Sequence, residues 1–170
     1  MKNIVLPLMA LCVFLTTAFA GTSAHADDYD KISLSVGYFD VFDDEDALDM
    51  RAEYRWDSPL IWQIKPFAAL EYTTDGSGWI GAGVYYDYHF GNGFVITPSF
   101  APGLYNDGGG KDLGHVIEFR SQIEVGYEFE NASRVSVGLS HLSNASLDDH
   151  NPGTEVLSLY YHMPVGMLFP

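Results

Sequence analysis

From residue 32 to the C-terminus, apolar and polar side chains alternate with a period of two. In the first segment Ile32, Leu34, Val36 and Tyr38 alternate with Ser33, Ser35 and Gly37, and in the second Leu48, Met50, Ala52, Tyr54 and Trp56 alternate with Asp49, Arg51, Glu53 and Arg55. A third segment, roughly 62–73, sets Ile64, Pro66, Ala68, Leu70 and Tyr72 against Lys65, Phe67, Ala69 and Glu71. Five more follow, over about 80–90, 94–104, 117–129, 134–140 and 157–165, the sixth being the cleanest, with Glu118, Arg120, Gln122, Glu124 and Glu128 all in one parity. Period-two alternation over stretches of this length predicts β-strands with one apolar and one polar face. Eight such strands are expected.

The connections narrow the architecture. Short turns are expected after strands two, four and six (Asp57-Ser58-Pro59, Gly91-Asn92-Gly93, Glu130 to Ser133). Longer polar ones are expected after one, three, five and seven, such as Phe42–Asp46 and Asn106–Asp112. About ten-residue alternating segments joined by alternately short and long turns are the signature of an outer-membrane β-barrel. The apolar face would meet lipid, and Arg51, Glu53, Arg55, Glu118, Arg120 and Glu124 would pair inside a lumen too narrow for a pore. Parity alone equally allows a soluble lipocalin-like barrel with its apolar face inward. Trp56, Phe90 and Phe129 at strand ends, like an aromatic girdle, favour the membrane barrel, as does the single-parity run Tyr161, Met163, Val165, Met167 and Phe169 near the C-terminus. Pro66, Pro98, Pro102 and Pro164 fall inside predicted strands and would imply bulges.

The N-terminus agrees with export. Met1-Lys2-Asn3 precedes the uncharged run Ile4–Ala20, and Ala24-His25-Ala26 supplies a small-x-small cleavage site. Residues 1–26 therefore read as a signal peptide and 27–170 as one barrel domain. Cys12 leaves with the signal, so disulfides and thiolate metal sites are excluded. Without Lys2 the chain carries 7 Lys and Arg against 23 Asp and Glu, a formal charge of −16. No basic patch exists for nucleic acid. The acidic stretch Asp43-Asp44-Glu45-Asp46 reads as solvated loop, with divalent-cation binding as the alternative. His89, His115, His150 and His162 show no metal-ligand spacing, and no cofactor or metal is expected.

Candidate chemistry lies near the C-terminus, in Ser140-His141-Leu142-Ser143-Asn144-Ala145 and Asn151-Pro152-Gly153-Thr154-Glu155. A hydroxyl, a base, a group to orient the base and an amide donor are what acyl transfer needs. The apolar parity of strand seven is odd, so His141 and Ser143 should continue its outward face beside Val135, Val137 and Leu139. On strand eight the odd residues are again apolar, and Glu155 stands just above Leu157. Antiparallel pairing can then bring Glu155 beside His141 at the outer rim, where a His and a Glu on a lipid-facing surface are costly and usually functional.

This composite, His141-x-Ser143-Asn144-Ala145 followed by Asn151-Pro152-Gly153-x-Glu155 and Ser158-Leu159-Tyr160-Tyr161, resembles the outer-membrane lipid A 3-O-deacylase (PagL) family over about 25 residues of the last third. The rest resembles that family in architecture. The resemblance implies a Gram-negative outer-membrane esterase acting on lipid A in lipopolysaccharide, with Ser143 as nucleophile, His141 as general base and Glu155 orienting the His. It also implies that the Asn144 side chain, with a backbone N–H just after it, stabilises the oxyanion, and that Ser146 stands where the family usually has Gly. A homodimer is left open. The competing readings are a non-catalytic outer-membrane barrel acting in adhesion or envelope integrity and a soluble periplasmic lipid-binding barrel.

Overall fold

The computed structural model describes residues 29–168; the expected signal peptide and the terminal Phe169 lie outside them. Eight antiparallel strands form the fold: β1 (Lys31–Phe39), β2 (Ala47–Arg55), β3 (Lys65–Thr73), β4 in two pieces (Gly78–Tyr85 and Tyr88–His89), β5 (Phe94–Asn106), β6 (Ile117–Glu128), β7 (Arg134–Ser143) and β8 (Thr154–Pro164). Each pairs with its chain neighbours, β1 pairs with β8, and the sheet therefore closes without an edge. Closure satisfies every strand's outer ladder, which a spanning sheet in hydrocarbon requires.

The alternation settles into an inverted globule. Leu34, Val36, Leu70, Ile80, Val125, Val137 and Leu159 stand about half exposed on the outside, whereas Arg51, Glu53, Arg55, Glu118, Arg120, Glu124, Arg134 and His162 are buried within. A soluble barrel would have the opposite polarity, so the lipocalin-like reading is set aside. The lumen is filled. Arg51 donates to Gln122 and Ser140 at 3.0 and 2.9 Å and pairs with Glu71 at 2.8 Å. Arg120 pairs with Glu53 at 2.6 Å, its guanidinium 4.9 Å from the Trp79 ring centre and 5.3 Å from that of Phe67. The indole itself occupies space that Gly81 and Gly103 leave: a Cβ on either would come within 2.4 Å of it. His162 is an interior histidine, bonded to Ser136 and Ser33 at 2.8 and 2.7 Å.

Three expectations change. Short and long turns do not simply alternate. The β2–β3 connection runs over residues 56–64 and closes on itself through Leu60 N–H to the Ile64 carbonyl and Ile64 N–H to the Ile61 carbonyl, so β3 starts only at Lys65, while the β3–β4 turn is just residues 74–77. The prolines create no bulges in the β4–β5 pair. Gly81↔Gly103, Val84↔Phe100 and Tyr88↔Ile96 keep one register, and strand pairing is interrupted opposite Pro102 and Pro98, which lack a donor, although the Tyr86 N–H still donates to the Pro98 carbonyl at 3.1 Å. Finally, β8 stops at Pro164 and a short 3₁₀ turn over Val165–Met167 follows, so Val165 and Met167 do not extend the strand.

The three longer connections at one end of the barrel, residues 40–46, 107–116 and 144–153, lie opposite the start of β1 and the end of β8. They interlock. Lys111 Nζ reaches Asp40 at 2.6 Å and Asp43 at 3.1 Å, and Asp40 also accepts from the Thr154 hydroxyl at 2.8 Å. Burial works against the lysine's charge, but the bonds to Asp40 and Asp43 outweigh it and hold the pKa above the ordinary lysine value. Asp43 reaches Lys111 from the solvent side, its own side chain remaining largely exposed in the loop. Leu113 is almost fully buried beneath, and Gly114 at φ +89° passes so close to the His150 carbonyl that a Cβ would lie 1.9 Å from it.

Candidate active site

Strand β7 delivers the first two groups. Ser136, Ser140 and Leu142 point inward and are buried, so the intervening odd positions, including His141 and Ser143, face outward. Strand β8 places Glu155 directly across from His141 in register. Their side chains meet, with His141 Nδ1 2.9 Å from Glu155 Oε1. An ionised carboxylate can only accept, so Nδ1–H is the donor of this bond.

The Cε1–Nε2 edge of the ring lies against Gly153 of the neighbouring connection. Gly153 lies one step beyond the Leu142–Thr154 pair, across from Ser143, and a Cβ built on it would sit 2.8 Å from His141 Cε1 and 3.5 Å from Nε2. The imidazole therefore leans into the space that the missing side chain leaves, along the row holding the serine. Gly153 also has φ +68°, a conformation open to glycine and disfavoured for alanine. Gly153→Ala should displace the ring by a fraction of an ångström to an ångström. We expect about a 10²-fold fall in kcat/KM, as small misplacements of catalytic groups cost. Heat-modifiable gel mobility should show that the barrel still folds; activity within twofold of the parent would refute the role.

Asn144 behaves differently from expectation. Its side chain is fully buried and its amide donates inward, to the carbonyls of Leu113 at 3.0 Å and His150 at 2.9 Å. Its Oδ1 accepts from the Ser146 N–H at 3.0 Å, and its own backbone N–H donates to Asn151 Oδ1 at 3.0 Å. The donors expected to face an oxyanion, the Asn144 amide and the Ser146 N–H, are thus spent within the loop. The reason is geometric: Asn144 continues the even, inward parity of β7, so its amide falls under the loop and not on the outer face. Ala145 and Ser146 both adopt left-handed φ, +53° and +66°, which turns the chain sharply right after the candidate nucleophile. Among the described residues, the Ala145 N–H has no recorded partner.

One member of the site escaped the sequence reading. Ser121 on β6 pairs with His141 across the β6–β7 ladder, so Ser121, His141 and Glu155 form one row over three strands. The signal was available: Ser121 breaks the outward run Ile117, Phe119, Ile123, Val125 and Tyr127. It lay twenty residues from the motif and had no partner until register was known. With it, the outer surface becomes simple to state. Setting aside tyrosines and Asn106 at the very end of β5, the outward positions of the described strands carry four polar side chains: Ser121, His141, Ser143 and Glu155. They adjoin one another.

The sequence model of the family described as lipid A 3-O-deacylase (PagL) matches residues 47–164, which include all four. The chain belongs to the PagL family. Among curated relatives, the lipid A deacylase PagL of Pseudomonas aeruginosa is 39% identical over 57 residues, 34% of this chain and 33% of the relative. That of Bordetella bronchiseptica is 28% identical over 101 residues, 59% of this chain and 49% of the relative. The matched segments thus span between a third and a half of those PagL proteins. A crystal structure of the outer membrane enzyme PagL superposes with a TM-score of 0.64 at 23% identity, covering 79% of this chain and 99% of that one. Neisserial surface protein A gives a TM-score of 0.58 at 11% identity over 80% and 96% of the two chains. Both show the shared eight-stranded outer-membrane barrel fold.

Proposed function

We propose that this PagL-family barrel is a serine esterase that removes the 3-O-linked acyl chain of lipid A, using Ser143, His141 and Glu155 on its lipid-facing surface. The observation that carries the reading is the His141–Glu155 bond at 2.9 Å, on the outside of the barrel and beside an outward serine. Ionised Glu155 accepts from Nδ1–H and fixes the tautomer, leaving Nε2 to take the proton of the Ser143 hydroxyl. Residues i and i+2 of a strand share a face about 6.5–7 Å apart between Cα atoms, a span that the two side chains bridge. Ser143 Oγ adds to the ester carbonyl, the protonated imidazole returns its proton to the departing sugar oxygen, and water then releases the fatty acid by the same route. Asn144 acts beneath the site by pinning the turn, and we assign the oxyanion to the Ala145 N–H, which follows it in the chain. The substrate arrives from the plane of the outer leaflet, because the reacting groups stand on the barrel wall and the lumen is filled. The outer-membrane setting follows from the same polarity.

The test is the mass spectrum of lipid A after incubation of lipopolysaccharide with the purified barrel in detergent. One ester-linked acyl chain should be lost and recovered as the free acid. Intact lipid A from protein that shows heat-modifiable mobility would overturn the reading.

A further inference from the structure

The turn between β2 and β3 is chemically unlike its neighbours. At the same end of the barrel the tips of the β4–β5 and β6–β7 turns are Gly91-Asn92-Gly93 and Glu130-Asn131-Ala132-Ser133, small or polar throughout. Residues 56–64 instead carry Leu60, Ile61 and Trp62 in succession, all exposed. Trp62, at 86%, is the most exposed large apolar side chain among the described residues. Apolar groups clustered in this way are unfavourable in water and mark contact surfaces.

The backbone is built to hold them out. The turn closes on itself through the Leu60 N–H to the Ile64 carbonyl and the Ile64 N–H to the Ile61 carbonyl, at 2.8 and 3.0 Å. At its base the Trp56 N–H donates to the Pro66 carbonyl at 3.1 Å, and the Asp57 N–H donates to Asp30 Oδ1 at 2.8 Å. Asp57, the one charged residue of the segment, is paired with Lys65. Trp62 sits at φ +52°, a left-handed conformation that bulky side chains rarely adopt and that asparagine takes with less strain. Strain of this kind persists where the side chain is needed.

Continuity says what the turn meets. The outward face of β2 carries Leu48, Met50 and Tyr54, and it ends on Trp56, whose ring centre lies 4.8 Å from that of Tyr54. The apolar row thus runs from the lipid-facing wall through an aromatic pair into the turn, and the single charge on the way is paired. Tryptophan favours the boundary between headgroups and acyl chains, where its ring is in oil and its N–H finds a polar partner. A turn that closes part of its own backbone bonding can lie at that depth, where water still serves the remainder.

We propose that the β2–β3 turn is a membrane anchor. Leu60, Ile61 and Trp62 insert into the interfacial layer of the leaflet at the end where β1 begins and β8 stops, and fix the depth of the barrel there. The partner is phospholipid, because the row continues the lipid-facing wall. The anchor is independent of the esterase chemistry at the other end.

The experiment reads tryptophan emission from the barrel in phosphatidylcholine vesicles whose acyl chains are brominated near the ester end or near the methyl end. Trp79 is buried in the lumen, so in Trp56→Phe the ring open to lipid is that of Trp62. That variant should lose a large share of its emission to bromines near the ester end, less to those near the methyl end, and little to acrylamide in the water. Adding Trp62→Asn, which suits the left-handed φ, should abolish the bromine-dependent loss, with heat-modifiable mobility reporting the fold. Quenching by acrylamide and by neither bromolipid would place the turn in water and overturn the anchor. Protection from all three quenchers would place the ring against protein, such as a second copy of this chain, and overturn it as well. Should Trp56→Phe fail to fold, a nitroxide on Gln63→Cys keeps every tryptophan and decides by its accessibility to oxygen against an aqueous nickel chelate.

Discussion

Ser143→Ala is expected to lower kcat/KM for ester hydrolysis by about 10⁴-fold or more while leaving the barrel folded. The hydroxyl is the only group of the site placed both on the outer face and in the row toward which the free edge of the His141 ring leans. Its removal leaves water as nucleophile, without a covalent intermediate. His141→Asn should cost a similar factor, and the double variant little more than either alone, because groups that act as one unit are not additive. Glu155→Gln should cost less than losing the nucleophile but still about 10²- to 10⁴-fold: the amide can donate to the ring nitrogen and so select the wrong tautomer. The measurement is the initial rate of fatty-acid release from lipopolysaccharide in detergent, with mobility on unheated gels reporting the fold. More than a tenth of parental activity in Ser143→Ala would move the nucleophile elsewhere.

The largest effect on stability should come from Arg55→Ala. Arg55 donates from Nε and Nη2 to Glu53 Oε2 at 2.9 and 2.7 Å and also binds Glu124. Its guanidinium lies 5.4 Å from the Tyr85 ring centre and 5.9 Å from that of Tyr160. Removing it leaves two buried carboxylates without their shared cation, although Arg120 still holds Glu53 and His162 still reaches Glu124 at 3.1 Å. Breaking one partner of a buried pair costs about 3–5 kcal/mol, mostly as the penalty of the stranded charge. Adding Glu124→Gln to Arg55→Ala should recover part of that loss, since the residual charge goes with the cation. Urea midpoints in detergent micelles would decide. A double variant less stable than Arg55→Ala would show that packing of the guanidinium, and not charge balance, governs this part of the lumen.

Much of the fold is written in the alternation itself, because a strand shows its two faces in the sequence directly. Which face is outside is not written there. Leu34, Val36 and Tyr38 would read the same in a lipocalin, and only closure with Arg51, Glu53 and Arg120 inside resolves it. The His141–Glu155 contact was legible because β7 and β8 form one hairpin, in which parity and loop length constrain the register. Ser121 was not legible as a member of the site, since its neighbour across the ladder depends on the β6–β7 register. The inward direction of Asn144 was hidden for a related reason: the motif places it beside Ser143 in sequence, but the next position along a strand faces the other way. Its amide therefore braces the loop from below, against Leu113 and His150. The late start of β3 was hidden too, because Ile61 and Ile64 look like strand residues and are joined instead across a tight turn.

The height of Ser143 on the wall has a consequence for turnover. It is the last residue of β7, and the exposed loop beginning at Ala145 carries Asp148, Asp149 and His150 above it, while Leu139 and Val137 stand on hydrocarbon below. A hydrolase of membrane lipid has to draw its two reactants from two phases, an acyl chain from the oil and a water molecule from outside. Shifted one pair down the strand, the serine would reach the chain but wait for water. Shifted one pair up, it would sit among solvent with the ester below it. The end of β7 is the level at which a single side chain borders both.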